Sequence, residues 1–465
     1  MAFRSSSALA FVLACSLAAC GGGGGSPTPT PAPTNRAPTL TASSTAVTVA
    51  ENSSGTLFDV SANDPDGDTV SLSLSGDDAE FFTVNSSGQV GFAAPINYDL
   101  HSDFDHDNVY LFKVVASDGK AQTNIDARVT ITNEREGVGA SLFYSSGIPD
   151  IIVAPRQNRD DFLMVYPDGR MFLIDRAGTR TFLRRAIRQD EVGTVLAAAA
   201  NADQAYTVLA IQGLGTVARY FGIEQSLGRI DTEVLAGSID PGTSGAMFWA
   251  NNRLFAAIGN SDGTLAQEAE SGFGKLYLIY YDPYCGASLH SFCFGASRRG
   301  DGIRQPVGGA SYDGNALLFD RGGEYQDEIS AFDPANRDLD FGWPFLEGTR
   351  ELQANSSGAL TSPFLTYGRG DGFREGAGII GGTIYRGAVG SLSGTLLFAD
   401  ISNRIFTVSA SFATDGELDT GTEIEDRTED FVAAGVDFGE ITAMFTTSNG
   451  RSYVLNADGD IYVID

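Results

Sequence analysis

Lysine is nearly missing from this chain of 465 residues: Lys113, Lys120 and Lys275 are all it has. Almost every one of its 30 basic side chains is therefore an arginine, set against 59 acids, and the formal charge is −29. That field repels phosphate backbones and excludes nucleic acid as a partner. Histidine is confined to His101, His106 and His290, and cysteine to Cys15, Cys20, Cys285 and Cys293. Long apolar runs are lacking too, since the N-terminal stretch from Ala8 to Ala14 is too short to cross a bilayer. What is abundant is glycine, 56 residues, and aromatic side chains at 10%, which favour turns and strands over helical bundles. The length and the 42% hydrophobic content suit two or three domains, or one small domain beside one large β architecture.

The first residues read as a targeting segment. A short basic start ending at Arg4 and the apolar run lead into Leu17-Ala18-Ala19-Cys20. This resembles the lipobox of bacterial lipoproteins, which implies that residues 1–20 form a lipoprotein signal, with Cys20 lipidated and the segment before it removed. Residues 21–36, rich in Gly, Pro and Thr, follow as a tether. Acyl chains on Cys20 would hold the protein to a membrane without spanning it. Gly21 is not the aspartate that retains many lipoproteins at the inner membrane, so the outer membrane or cell surface is expected. The alternative is an ordinary secretory signal. Cys285 and Cys293 then remain as a pair, and an oxidising compartment predicts a disulfide between them. A metal site using His290 would lack a fourth ligand.

Residues 37–136 have one character. Val47-Thr48-Val49, Val70 to Leu74, Tyr110 to Val115 and Ala127 to Ile131 are alternating β-branched runs separated by Asp-Gly and Ser-Gly turns. A β-sandwich is predicted. Residues 139–465 repeat a different unit, a tight turn followed by an apolar strand. It is seen at Tyr166 to Asp175, Phe248 to Gly259, Ser311 to Phe319 and Ser448 to Leu455. Recurrence over this length, without a persistent helix, predicts a β-propeller of six blades with Asp460 to Asp465 as a closing strand. The fold class is all-β.

Ala50-Glu51-Asn52, Asn63 to Asp68, Ile96-Asn97-Tyr98-Asp99, Ala116-Ser117-Asp118-Gly119 and the strand Val129 to Asn133 together resemble a cadherin repeat of the bacterial surface type. The resemblance implies calcium on carboxylate oxygens. Glu51 and Asp99 would belong to the exit end of the domain, and Asp64, Asp66 and Asp118 to the opposite end. The exit linker departs from the cadherin pattern, reading Asn133-Glu134-Arg135-Glu136. Asp103-Phe-Asp-His-Asp107-Asn108 is a further acidic cluster, readable as a local calcium loop or as a solvated turn. His101 and His106, among these acids, are expected at the surface.

In the propeller, Ile303-Arg-Gln-Pro306, Leu318 to Ile329, Asp340-Phe-Gly-Trp-Pro344, Glu347-Gly-Thr349 and Ile380 to Gly387 resemble the six-bladed glucose/sorbosone dehydrogenases. Members of that family use pyrroloquinoline quinone (PQQ) and calcium. Such a site needs cations for the three carboxylates of PQQ, Ca²⁺ to polarise its quinone, and a histidine base. The resemblance puts PQQ binding on Arg304, calcium on the carbonyls of the Gly322–Gly323 stretch, and an acidic position at Asp327. Arg321 is an extra cation, and Arg404 lies near the family's missing lysine, where this chain has Ser402-Asn403. The family's Arg-x-Arg pair is replaced by Asp437-Phe-Gly439, and its catalytic histidine by Pro241-Gly242-Thr243.

Two functions follow. One is a PQQ-dependent aldose or sorbosone-type dehydrogenase with an altered site, in which Asp327 and Glu328 are the first candidates for a base. Loss of a base costs about 10²–10⁴-fold. The other is a non-catalytic propeller that holds a sugar, a glycan or a cell-surface protein, with the sandwich as spacer or adhesion domain. On that second reading Trp343 fills a gap between blades, and Arg304 pairs with Asp320 or Asp327.

Overall fold

The computed structural model describes residues 34–136, 139–185, 193–201, 205–212, 217–224, 228–236, 244–282, 293–354, 360–370, 372–415, 423–432 and 437–464. Cys20, the tether up to residue 33, Pro241 to Thr243, Cys285 and His290 lie outside them. Among the described residues no helix is long and apolar enough to cross a membrane.

The N-terminal module is a sandwich of two four-stranded sheets. One runs Thr39–Ala42, Thr56–Asn63, Gln89–Phe92, Phe82–Val84; the other runs Ala46–Ala50, Gln122–Thr132, Val109–Ser117, Ser71–Ser75. Strand alternation sets the core. Tyr110, Phe112, Val114 and Ala116 point inward from one strand while Leu111 between them is exposed. They meet Phe58, Val60, Phe82 and Val90 of the facing sheet, with the Phe82 and Phe112 rings stacked at 4.3 Å. Each such buried aromatic contributes about 1.5–3 kcal/mol.

Six sheets follow. Each of the first five starts with an inner strand: Ile152–Pro155, Gly193–Ala200, Gly245–Ala250, Pro306–Tyr312 and Ile379–Ile384. The sixth starts with Ile441–Thr446. Each inner strand lies against the next, and the last returns to the first, so the sheets form a closed ring of six blades. They enclose a cavity of about 430 Å³, walled largely by Ala197, Ala199, Gly245, Gly308 and Gly381 with their strand neighbours. Small residues are needed here because six strands converge. A Cβ on Gly309 would sit 2.2 Å from the Phe248 ring of the preceding blade.

Closure differs in detail from the expectation. Asp460–Ile464 is the third strand of the last blade. The fourth is Ala140–Ser145, which arrives directly from the sandwich and pairs antiparallel with it.

The two modules touch. Asn97 Nδ2 donates to Glu425 Oε1 at 2.8 Å, Arg374 Nη2 donates to the Leu100 carbonyl at 2.7 Å, and the His101 ring stacks on Phe373 at 4.0 Å. At the centre of the junction is Arg427, 3% exposed. It pairs with Glu136 at 2.6 Å, Asp99 at 2.7 Å, Glu425 at 2.8 Å and Asp430 at 3.2 Å.

Candidate ligand site

Strands alternate in direction through a blade, so the segment before the inner strand and the turn between the second and third strands share one end. At the fourth blade these are residues 302–305 and the turn between Asn315–Asp320 and Gln326–Phe332. This brings Arg304 beside Arg321, Gly322 and Gly323. Asp320, 3% exposed, holds the two segments together. Its Oδ2 accepts from the Arg304 N–H at 2.8 Å and its Oδ1 from the Gln305 N–H at 2.5 Å. Glu347 supports the turn from below, its Oε1 accepting from the N–H groups of Gly323, Tyr325 and Gln326.

The guanidinium of Arg304 turns onto the loop. Nη1 donates to the Gly322 carbonyl at 2.6 Å and to the Arg321 carbonyl at 3.2 Å, and the group lies 5.2 Å from the Trp343 ring centroid. Trp343 itself donates from Nε1 to the Asn260 carbonyl at 2.9 Å, linking the third blade's long turn to the segment after the fourth blade's third strand. Arg369, at the end of Leu365–Arg369, reaches the same carbonyl: Nη2 donates to Gly322 O at 2.8 Å and to Asp327 Oδ1 at 2.7 Å. Asp327, fully buried, also accepts from the N–H groups of Gly322 and Ile379. Arg321 Nε donates to the Ile379 carbonyl at 2.8 Å.

Burial governs the acids here. It raises the Asp327 carboxyl, with Arg369 opposing. It lifts Asp320 to about 7. Glu328, paired across the strands with Asp320, is pushed well up by burial and then by the Asp320 charge. Arg321 is lowered by burial, with the Arg369 and Arg304 charges adding to the effect.

Arg304, Arg321 and Arg369 therefore converge. Arg404 does not join them: it pairs with Asp426 at 2.8 Å and donates to the carbonyls of Phe373 and Glu375. The carboxylate partner within the cluster is Asp327, and it belongs to Arg369. Asp320 serves the backbone of Arg304, not its guanidinium. Where a lysine is replaced, Ser402 closes a turn on Asp400 and Asn403 Oδ1 accepts from the Ile441 N–H of the next blade. Asp437 caps its own turn at Gly439.

The donor set decides what this face can hold. Of the three guanidiniums only that of Arg369 is ion-paired with a carboxylate among the described residues. Those of Arg304 and Arg321, set on backbone carbonyls, suit a ligand bearing carboxylate or other acid groups. Calcium does not fit. The Gly322 carbonyl that would ligate it already accepts from two cationic donors, and a divalent ion there would face their charges. Arg369 was not singled out in the sequence, and the only signal was an arginine closing an apolar strand.

In the sandwich, Glu51 and Asp99 come together with Glu136, their oxygens within 4.8 Å of one another, as do those of Asp103, Asp105 and Asp107. Glu51 is spent on the N–H groups of Tyr98 and Glu134, and Arg427 occupies the cation's place beside Asp99 and Glu136. Asp64, Asp66 and Asp118 are engaged separately. Asp64 accepts from the N–H groups of Asp66 and Asp68, Asp66 pairs with Arg36, and Asp118 accepts from Asn35, Lys120 and Ala121.

A family model described as a bacterial Ig domain matches residues 35–132. No curated protein matches the chain. Among solved structures, the soluble aldose sugar dehydrogenase of Escherichia coli in its apo form is similar over 70% of this chain and 99% of its own, at 15% identity and a TM-score of 0.51. A putative oxidoreductase (glucose dehydrogenase) of Thermus thermophilus is similar over 71% of this chain and 100% of its own, at 14% identity and a TM-score of 0.50. The likeness is one of fold: an Ig-like sandwich precedes a propeller of the sugar dehydrogenase type.

Proposed function

We propose that the protein is a lipid-anchored receptor outside the cytoplasm, whose sugar-dehydrogenase-type propeller binds an acidic sugar or glycan and does not oxidise it by the family's route. The observation that carries this is the Gly322 carbonyl, bridged by Arg304 and Arg369 where the resemblance would put calcium. The arginines remain suited to acid groups, while the metal's ligands are satisfied by the protein. The sequence adds that Pro241-Gly242-Thr243 carries no histidine for the base. Localisation at the outer membrane or cell surface rests on the lipobox and tether.

A second reading, a PQQ-dependent aldose dehydrogenase, draws on the fold and on the convergence of Arg304 with Arg321. One experiment separates the two. The full chain is given PQQ with millimolar Ca²⁺ and glucose, and dye reduction is followed; binding of glucuronate and glucose is measured by calorimetry. The receptor reading expects no turnover, binding of glucuronate over glucose, and loss of that binding in Arg304→Ala. Calcium-dependent dye reduction abolished by Arg304→Ala would overturn it and establish the dehydrogenase.

A further inference from the structure

Two phenylalanine rings are held out into water, one on each module, and their surroundings carry opposite charge. Among the described residues Phe104, 73% exposed, and Phe182, 57% exposed, are the most exposed of the large apolar side chains. Apolar surface kept in water marks a place that a partner covers.

Phe104 sits on a fixed loop of the sandwich. Its N–H donates to Oδ1 of buried Asp78 at 2.8 Å, and Oδ2 of Asp78 accepts from the Leu111 N–H at 2.7 Å, so exposed Leu111 stands beside it. Asp103, fully buried, closes the loop by accepting from the N–H groups of Asp107 and Asn108. A ring presented by so tied a loop loses little freedom when it is covered. Around it the surface is acidic, with Asp77, Asp105 and Asp107 all exposed.

Phe182 lies on the outermost strand of the first blade, Arg180–Arg185. It stands edge-on to Phe172 at 5.5 Å, and Phe172 lies 4.9 Å from Tyr166. Guanidiniums cover this row of rings: Arg170 is 4.8 Å from the Tyr166 centroid and Arg180 is 4.9 Å from that of Phe172. Asp168 is the acid paired here, shared by Arg170 at 2.6 Å and Arg185 at 3.8 Å. Arg176 and Arg180 are exposed, and neither pairs with a carboxylate among the described residues. A partner for this face must bring an apolar anchor set among carboxylates. The Phe104 loop has that chemistry, and since both rings are uncovered in one molecule, each is available to another copy.

We infer that the Phe104 loop of one copy docks on the Phe182 face of a second, ring against ring, with Asp105 and Asp107 answering Arg176 and Arg180. The two faces differ, so the contact runs head to tail and either extends into a chain or closes into a ring.

The test follows the size of the full chain by sedimentation equilibrium over a range of concentrations. Concentration-dependent association is expected, weaker by about tenfold or more between about 50 mM and about 500 mM salt. Phe104→Ser and Phe182→Ser each remove one half of every contact and should weaken association by about tenfold or more. Both positions are exposed, so the two variants should melt with the wild type. All forms keep the same N-terminal segment, so an anchor contributes equally to each. The decisive sample is a mixture of the two variants. Phe104→Ser still offers its basic face and Phe182→Ser still offers its acidic loop, so together they should form a one-to-one pair that grows no further. A wild type that stays monomeric throughout, leaving the arginine face to a foreign anion, overturns the inference. So does a mixture that fails to pair, or association that either variant leaves unchanged.

Discussion

Replacing Arg427 by Met removes the central cation from a junction that holds four of its carboxylate partners within 3.2 Å. Removing one partner from a buried ionic cluster costs about 3–5 kcal/mol, because the charges left behind are neither hydrated nor paired. The cost depends on pH. Burial raises the Asp99 carboxyl to about 8, and the acids Asp430, Glu51 and Glu425 also push it up against the pull of Arg427. A folded-state pKa above the unfolded value means that the native state binds the extra proton. The associated stability is therefore present at about pH 4 and is lost as pH climbs towards 8. The wild-type junction should loosen gradually over that window. Arg427→Met should be far worse at pH 8.5 than at pH 5, where protons replace the missing guanidinium. Urea unfolding at the two pH values, with proteolysis of the 133–139 connection as a local reporter, measures both effects. The vacated cluster of Glu51, Asp99 and Glu136 should also accept a divalent ion, so millimolar Ca²⁺ should restore the variant and leave the wild type unchanged. Equal stability of variant and wild type at pH 8.5, or an equal gain of both from calcium, would refute the reasoning.

Two further outcomes are expected. Glu328→Gln keeps an acceptor for the Gly348 N–H but removes the ionisation that burial and Asp320 oppose; it should flatten the fall of stability with rising pH in thermal melts, and an unchanged slope would count against a proton shared between these acids. Cys20→Ala should release protein that otherwise fractionates with membranes, and membrane association unaltered in that variant would remove the lipid anchor.

The architecture was readable where side-chain period is local. Alternation in Tyr110 to Val115 marks one buried face of a strand, and turns such as Asp168-Gly169 stand between paired strands as their chemistry requires. The site was readable only as a set of loops. Resemblance located Arg304, Gly322 and Asp327, but the orientation of the Gly322 carbonyl depends on donors 18 and 47 residues away. Arg404 illustrates the opposite failure: close in sequence to a lost lysine, it is drawn off by Asp426 and neighbouring carbonyls. Arg427 gave no sign at all. Its partners include Glu136, 291 residues earlier, and no local pattern reports a contact across two domains.

The pairing of Ala140–Ser145 with Asp460–Ile464 also orders events in time. More than three hundred residues separate the first of these strands from its partner, so the first is made long before the second. The sandwich, whose strand pairings and core cluster fall within its own hundred residues, can condense as soon as it emerges. The ring cannot close until the C-terminal strand arrives, and closing a loop of that span is entropically slow. Throughout that delay an exposed strand is open to pairing with another chain.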